Sequence, residues 1–220
     1  MTRTRPLVAI DGPAGSGKST LARRLAQTLD LPYLNTGLMY RALTLRAIGK
    51  GVDTDDGPAL AELAGTMTFD LNTSVHPPEL TIEGGAPDPG ISSVEVESRV
   101  SAVARHPEVR EVLRAEQRRL SEAGGVVEGR DIGTVVAPGA DAKIYLEADE
   151  EARIARRSRE RNVDAAAGAG LSSRDARDAR TTPLEPAEDA VAIDTTDMDA
   201  DAVYEATLAV VRAKLAERGW

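Results

Sequence analysis

The sequence predicts an α/β fold, a parallel, doubly wound sheet with helices on both faces. Three observations predict it. A short apolar run, Leu7-Val8-Ala9-Ile10, leads into the glycine-rich run Gly12-Pro13-Ala14-Gly15-Ser16-Gly17-Lys18-Ser19, and a helical pattern follows from Thr20 to Leu29. Later apolar runs of strand length, at 125–128, 142–146 and 190–194, alternate with segments of helical period. At 220 residues the chain is long enough to bury a sizeable core as one such domain with insertions.

The elements are read in order. Leu7–Asp11 is the first, buried strand, with Asp11 at its carboxyl end, and Gly17–Leu29 is the first helix. Pro32-Tyr33-Leu34-Asn35 is a short second strand, after which Thr36 is expected to cap a helix from Gly37 to about Gly49. Asp55-Asp56-Gly57-Pro58 starts a shorter helix, to about Ala64. Met67–Leu71 and Glu79–Glu83 flank a stretch with Asn, Ser and two prolines; they read as antiparallel strands of a small separate sheet. Gly84-Gly85 and Pro87-Asp88-Pro89-Gly90 are turns. Residues 92–104 and 107–122 are two helices broken at Pro107. Gly125–Glu128 and Ala142–Leu146 are parallel core strands, and Glu150–Arg161 is an arginine-rich helix. The small-residue segment 162–170 is expected to be mobile, and 171–180 to be a short charged helix. Ala190–Asp194 is the last strand and Ala200–Glu217 an amphipathic closing helix.

Composition narrows the function classes. The apolar share is 41%, and no apolar run approaches the ~20 residues of a membrane span, so no membrane partner is expected. The apolar segment after residue 6 runs straight into the glycine-rich loop, which makes it a core strand rather than a signal peptide; the expected location is cytoplasmic. Cysteine is absent, which excludes disulfides and thiolate metal sites. The net charge of −9 opposes binding to nucleic acid. Of 27 basic residues only Lys18, Lys50, Lys143 and Lys214 are lysines, and the arginines cluster at 99–119, 153–161 and 174–180. An acidic protein with clustered arginines suits a small phosphorylated ligand in a cleft. His76 and His106 are isolated and are assigned no chemistry, and nothing demands more than a monomer.

The run Gly12–Ser19 fits G-x-x-x-x-G-K-[ST], a phosphate-binding loop. Successive backbone N–H groups in such a loop form an anion-binding nest, and the following helix N-terminus favours negative charge. Lys18 is expected to reach the outer phosphates of a nucleoside triphosphate, and the Ser19 hydroxyl to ligate Mg²⁺. Asp11 or Glu128 is expected to hold waters around that ion. Three more segments stand out: Asn35-Thr36-Gly37-Leu38-Met39-Tyr40-Arg41, Glu128-Gly129-Arg130-Asp131-Ile132-Gly133-Thr134-Val135-Val136, and Arg174-Asp175-Ala176-Arg177-Asp178-Ala179-Arg180. In a doubly wound sheet the first two meet at the carboxyl edge beside the loop. Arg41 and Arg130 can then clamp a second phosphate, because a guanidinium bonds phosphate oxygens bidentately.

On these residues the chain resembles the bacterial cytidylate kinases, a family of nucleoside monophosphate kinases. The resemblance runs nearly end to end. Its most specific matches are Ile10-Asp11-Gly12-Pro13 with Gly17-Lys18-Ser19, Thr36-Gly37 with Tyr40-Arg41, Gly129–Val136, and Ser101–Arg110. The resemblance implies that Gly12–Ser19 and Thr20 bind ATP, with Mg²⁺ on Ser19. It implies that Arg41, Arg130 and Arg174 hold the CMP phosphate, with Thr36 standing where the family often has Ser. Ser101, Arg110 and Asp131 are similar to the family's readers of cytosine, and Asp178 to the carboxylate on the ribose hydroxyls. Arg153 and Arg157, spaced i, i+4, resemble the pair that packs on adenine and reaches the ATP phosphates. Lys18, Arg41, Arg130 and Arg157 are thus the expected catalytic cations. By the same resemblance the core is about 1–35, 123–150 and 181–220, the monophosphate-binding subdomain about 36–122, and the lid about 151–180. The chain departs from the family after Asp178, where the segment before Pro183-Leu184 is shortened; the last phosphate ligand is Arg180, Arg177, or absent from this chain.

The implied reaction is direct, in-line transfer of the ATP γ-phosphoryl group to CMP or dCMP, without a phosphoenzyme. A shikimate- or uridylate-type kinase is the nearer rival, and the insert at 66–90 and the Gly-Arg-Asp segment count against it. A non-catalytic ATP sensor is the more distant one, and Lys18, Ser19 and the two arginine groups count against that.

Overall fold

A computed structural model describes residues 3–161 and 185–220; of 157–161 it describes the backbone alone. The elements are β1 (Leu7–Asp11), α1 (Lys18–Leu29), β2 (Tyr33–Asn35), α2 (Thr36–Lys50), α3 (Gly57–Gly65), β3 (Phe69–Asn72), β4 (Glu79–Ile82), α4 (Val94–Ala104), α5 (Pro107–Ser121), β5 (Gly125–Glu128), β6 (Ala142–Glu147), α6 (Glu150–Arg161), β7 (Val191–Asp194) and α7 (Ala200–Glu217). A 3₁₀ turn at Pro89–Ser92 precedes α4, and a π-helical turn at Ile132–Val136 follows β5.

The strands form one sheet in the order β3-β4-β2-β5-β1-β6-β7, parallel throughout except for the antiparallel β3–β4 pair. This confirms the predicted α/β class and the antiparallel insert. It corrects the expectation of a separate small sheet. Strand β4 joins the main sheet, with Tyr33 opposite Glu79 and the Tyr33 amide donating to Pro78 O at 2.7 Å. Without that partner β2 would be an open edge with unpaired backbone groups.

The alternation of strand side chains splits the core in two. Leu7 and Ala9 of β1, Leu34 of β2 and Val127 of β5 pack against α2–α5. Val8 and Ile10, Tyr33 and Val126 face the other way, against α1 and α7. Truncating a fully buried residue such as Ile10 or Leu25 costs about 2–5 kcal/mol. A surface ion pair such as Arg24–Asp201 contributes about 1 kcal/mol at most. The two apolar faces therefore fix the layering.

Local signals set the helix ends. Asp56 accepts from Ala59 N at 3.0 Å ahead of Pro58 in the first turn of α3, and Asp199 accepts from Asp201 N and Ala202 N at the start of α7. One expected cap is corrected. Helix α2 begins at Thr36 itself, and Asn35, still in extended conformation, accepts from Leu38 N at 3.3 Å. The Thr36 hydroxyl is committed elsewhere, to a carbonyl of β5.

Candidate functional site

Strands β2, β5 and β1 are neighbours, so the segments leaving their carboxyl ends converge as the doubly wound reading requires. From β1 comes the loop 12–17. Gly12 (φ +147°), Gly15 (+74°) and Gly17 (+89°) adopt conformations that L side chains disfavour. Space restricts the first two further: a Cβ on Gly12 would lie 2.4 Å from Leu146 O, and one on Gly15 2.9 Å from Arg153 O. The loop is thus wedged between the end of β6 and the start of α6. Lys18 Nζ folds back over it, donating to Pro13 O at 2.6 Å and to the fully buried Ser16 Oγ at 3.4 Å.

Behind the loop lies a buried carboxylate. Glu128, at the end of β5, is 3% exposed, and both its oxygens are engaged. Ser19 Oγ donates to Oε2 at 3.0 Å and Tyr33 Oη to Oε1 at 2.5 Å, while Thr36 Oγ1 donates to its main-chain carbonyl at 2.7 Å. Burial pushes the Glu128 carboxyl up, opposed by the Lys18 charge and then by the Tyr33 and Ser19 hydrogen bonds. Burial and the neighbouring Glu128 charge push the Tyr33 hydroxyl up as well.

Asp11 has a different task. Its two oxygens accept from Ile132 N (2.8 Å) and Gly133 N (2.7 Å), which ties the π-helical turn to the end of β1. Burial raises its carboxyl to about 6, against the pull of those two amides. Of the two carboxylates expected to serve an ion at Ser19, only Glu128 touches Ser19, because the amides of 132 and 133 occupy Asp11.

Just ahead of that turn, Arg130 and Asp131 make the next set of contacts. Arg130 Nη1 donates to Gly12 O at 3.0 Å, joining the segment after β5 to the glycine loop. Asp131 Oδ2 accepts from Arg110 at 2.8 Å and from Arg114 at 2.5 Å. Arg110 also reaches Ala104 O at 3.3 Å, at the end of α4, the helix that carries the buried Ser101. Arg41, in α2, donates to Ile91 O at 3.1 Å and lies 3.9 Å from Glu97 Oε1, so it braces the 3₁₀ turn and α4. Tyr40 beside it is partly buried, and desolvation raises its hydroxyl; the charges of Arg110, Asp131 and Arg114 all act on it.

On the other side, Arg153 is buried under the loop, with Nη1 donating to Ala14 O at 3.0 Å and Nε to Ala148 O at 3.2 Å. Its neighbour Arg156 anchors α6 to the end of β7 through Thr195 Oγ1 at 2.8 Å, Thr195 O, and Met198 O at 3.2 Å. The Arg157 side chain, the segment 162–170 and Arg174, Arg177, Asp178 and Arg180 lie outside the described residues.

The structure therefore joins Lys18, Ser19 and Glu128 in one group, Arg130 to Gly12, and Arg110 to Asp131. Sequence reasoning missed Arg114 and the Tyr33–Glu128 pair. The signal for Arg114 was its place one helical turn after Arg110. No local signal marked Tyr33, whose partner is far along the chain.

Among the described residues, no helix is long and apolar enough to cross a membrane, and no cluster of three or more His, Cys, Asp or Glu forms a metal site. Comparison with known proteins gives a consistent result. A family model described as cytidylate kinase matches residues 8–213. A cytidylate kinase of Streptomyces avermitilis is 44% identical, covering 98% of this chain and 97% of its own. One of Geobacillus kaustophilus is 43% identical, covering 97% and 99%. A solved gluconokinase structure from Sinorhizobium meliloti superposes with a TM-score of 0.54 at 15% identity, covering 99% of this chain and 97% of that one, which supports the fold.

Proposed function

The chain belongs to the cytidylate kinase family, and from that premise we propose that it transfers the γ-phosphoryl group of ATP to CMP and dCMP. The observation that supports this most directly is the hydrogen bond from Arg130 to Gly12, which puts a phosphate-sized guanidinium on the rim of the glycine loop.

Phosphoryl transfer between two phosphates needs positioning and neutralised charge more than a protein base, since the accepting oxygen is already anionic near neutral pH. In this reading the amides of 12–19 and Thr20 hold the donor, Lys18 leaves Pro13 O for the outer phosphates, and Arg153 supports the loop from beneath. Arg41 and Arg130 take the CMP phosphate and spread over the charge that builds between donor and acceptor. Ser19, backed by the buried carboxylate of Glu128, presents hard oxygen donors that fit Mg²⁺. When bound, that ion would supply further neutralisation of the phosphates. Glu128 keeps the Ser19 hydroxyl oriented, and Tyr33 keeps Glu128 in place. Residues 36–122 are assigned to CMP binding and 151–180 to the lid, with Arg157, Arg174 and Asp178 contributing from the latter.

Base choice follows from hydrogen-bond sense. Cytosine offers an amino donor where uracil offers a carbonyl. A carboxylate such as Asp131, supported by Ser101 and Arg110, accepts from the first and repels the second. Sites built on such a bond reject an analogue that lacks it, because a buried charge is left without its partner. An ADP-release assay over a panel of monophosphates tests the reading. CMP and dCMP should turn over, with kcat/KM for UMP at least about tenfold lower. Equal values for CMP and UMP would remove Asp131 as the reader, and turnover with none of them would refute the kinase.

A further inference from the structure

Helix α5 presents Arg110, Arg114 and Arg118 at successive i, i+4 positions to the segment 131–135. Arg110 and Arg114 both end on Asp131 Oδ2, at 2.8 and 2.5 Å, and Arg118 ends on the main-chain carbonyl of Val135 at 3.1 Å. Among the described residues, none donates to the other oxygen, Oδ1. The Asp131 backbone is pinned independently, since its carbonyl accepts from Val135 N (2.9 Å) and Val136 N (3.1 Å) and the next two amides are bound to Asp11. What remains free in Asp131 is rotation of the side chain about its Cα–Cβ and Cβ–Cγ bonds. One guanidinium on Oδ2 leaves that rotation open. A second, arriving from the next turn of the same helix, closes it. Arg114 also shows a cost consistent with being held for a purpose: its Nε is buried with no hydrogen-bond partner.

We propose that Arg114 is a positioning residue for base selection, which together with Arg110 locks Oδ2 of Asp131 and so presents Oδ1 as a fixed acceptor for the amino group of the nucleobase. This rests on the reading of Asp131 as the reader of cytosine. The role is distinct from charge neutralisation at the reacting phosphates. A freely turning carboxylate still attracts an amino group but loses the angular definition that makes the discrimination steep.

The test is the ratio of kcat/KM for CMP to that for UMP. Arg114→Gln should lower the ratio about tenfold or more, through a raised KM for CMP, with kcat and the KM for ATP little changed. Arg114→Lys keeps a cation but not the planar fork, and should lower it about threefold or more. Arg118→Gln removes a bond to the same turn without touching Asp131, and should leave the ratio within about twofold of the parent. In an Asp131→Asn background, adding Arg114→Gln should change the ratio by less than about twofold, because the residue it acts through is already altered. Should Arg114→Gln fail to fold, Arg114→Lys decides the matter alone. An unchanged ratio in the folded Arg114 variants, an equal loss on CMP and UMP, or an equal effect of Arg118→Gln overturns the inference while leaving the kinase intact. A parent protein that discriminates no better than twofold between CMP and UMP overturns the reading of Asp131 and this inference with it.

Discussion

Replacing Asp11 by Asn tests the link between the glycine loop and the turn after β5. Two opposing effects are involved, and pH separates them. The amide offers one acceptor oxygen where the carboxylate offers two, so either Ile132 N or Gly133 N loses its partner, at a cost of about 1–3 kcal/mol that does not depend on pH. Against this, the variant is relieved of a buried ionisation. The Asp11 carboxyl titrates at about 6 in the folded chain against an ordinary 3.8. Between those values the folded state holds the proton that the unfolded state has released, so the Asp11 contribution is greatest below 3.8 and is lost as pH rises through 6. The shift corresponds to about 3 kcal/mol in full, of which about 2 kcal/mol falls between pH 4.5 and 7.5. Urea unfolding of both proteins at those two pH values measures it. Asp11→Asn should compare less favourably with the parent at pH 4.5 and gain about 2 kcal/mol relative to it at pH 7.5. A stability difference that is the same at both pH values, within about 0.5 kcal/mol, would refute the argument that burial controls this carboxyl.

Two other substitutions probe the loop itself. Lys18→Ala should lower kcat on the order of hundreds-fold while leaving the fold intact, since the side chain is only half-buried and its bonds to Pro13 and Ser16 are local; steady-state kinetics with near-normal turnover would sink the role given to this lysine. Gly12→Ala forces an L residue to φ +147° with its Cβ 2.4 Å from Leu146 O. The expected cost is about 3 kcal/mol, or roughly 6–12 °C in Tm by thermal unfolding, and an unchanged Tm would contradict the close approach.

The anchoring of α6 bears on how its arginines divide their work. Arg156 is held by Thr195 and Met198 at the end of β7, and Arg153 by Ala14 and Ala148. The first half of the helix is therefore part of the loop's foundation. Arg153, which the family resemblance pairs with Arg157 over adenine, has a structural commitment to Ala14 that the i, i+4 pattern did not reveal.

By itself the sequence determined whatever rests on contacts within a few residues. Gly12–Ser19 announced the loop because its glycines and its lysine act through local backbone geometry. Helix α7 was legible to both its ends because Asp199 caps it and its period is its own. The expected convergence of Asn35–Arg41 and Glu128–Val136 followed from β–α alternation alone. Tertiary structure decided what depends on partners distant in the chain. It brought β4 onto β2 rather than into a separate sheet, moved the cap of α2 from Thr36 to Asn35 by engaging the Thr36 hydroxyl with Glu128, and left Glu128 rather than Asp11 beside Ser19. It also set two arginines on one oxygen of Asp131. Each is a pairing across a long sequence separation. A local pattern states which groups a residue offers, and only the packed sheet and helices determine which of them come within hydrogen-bonding distance.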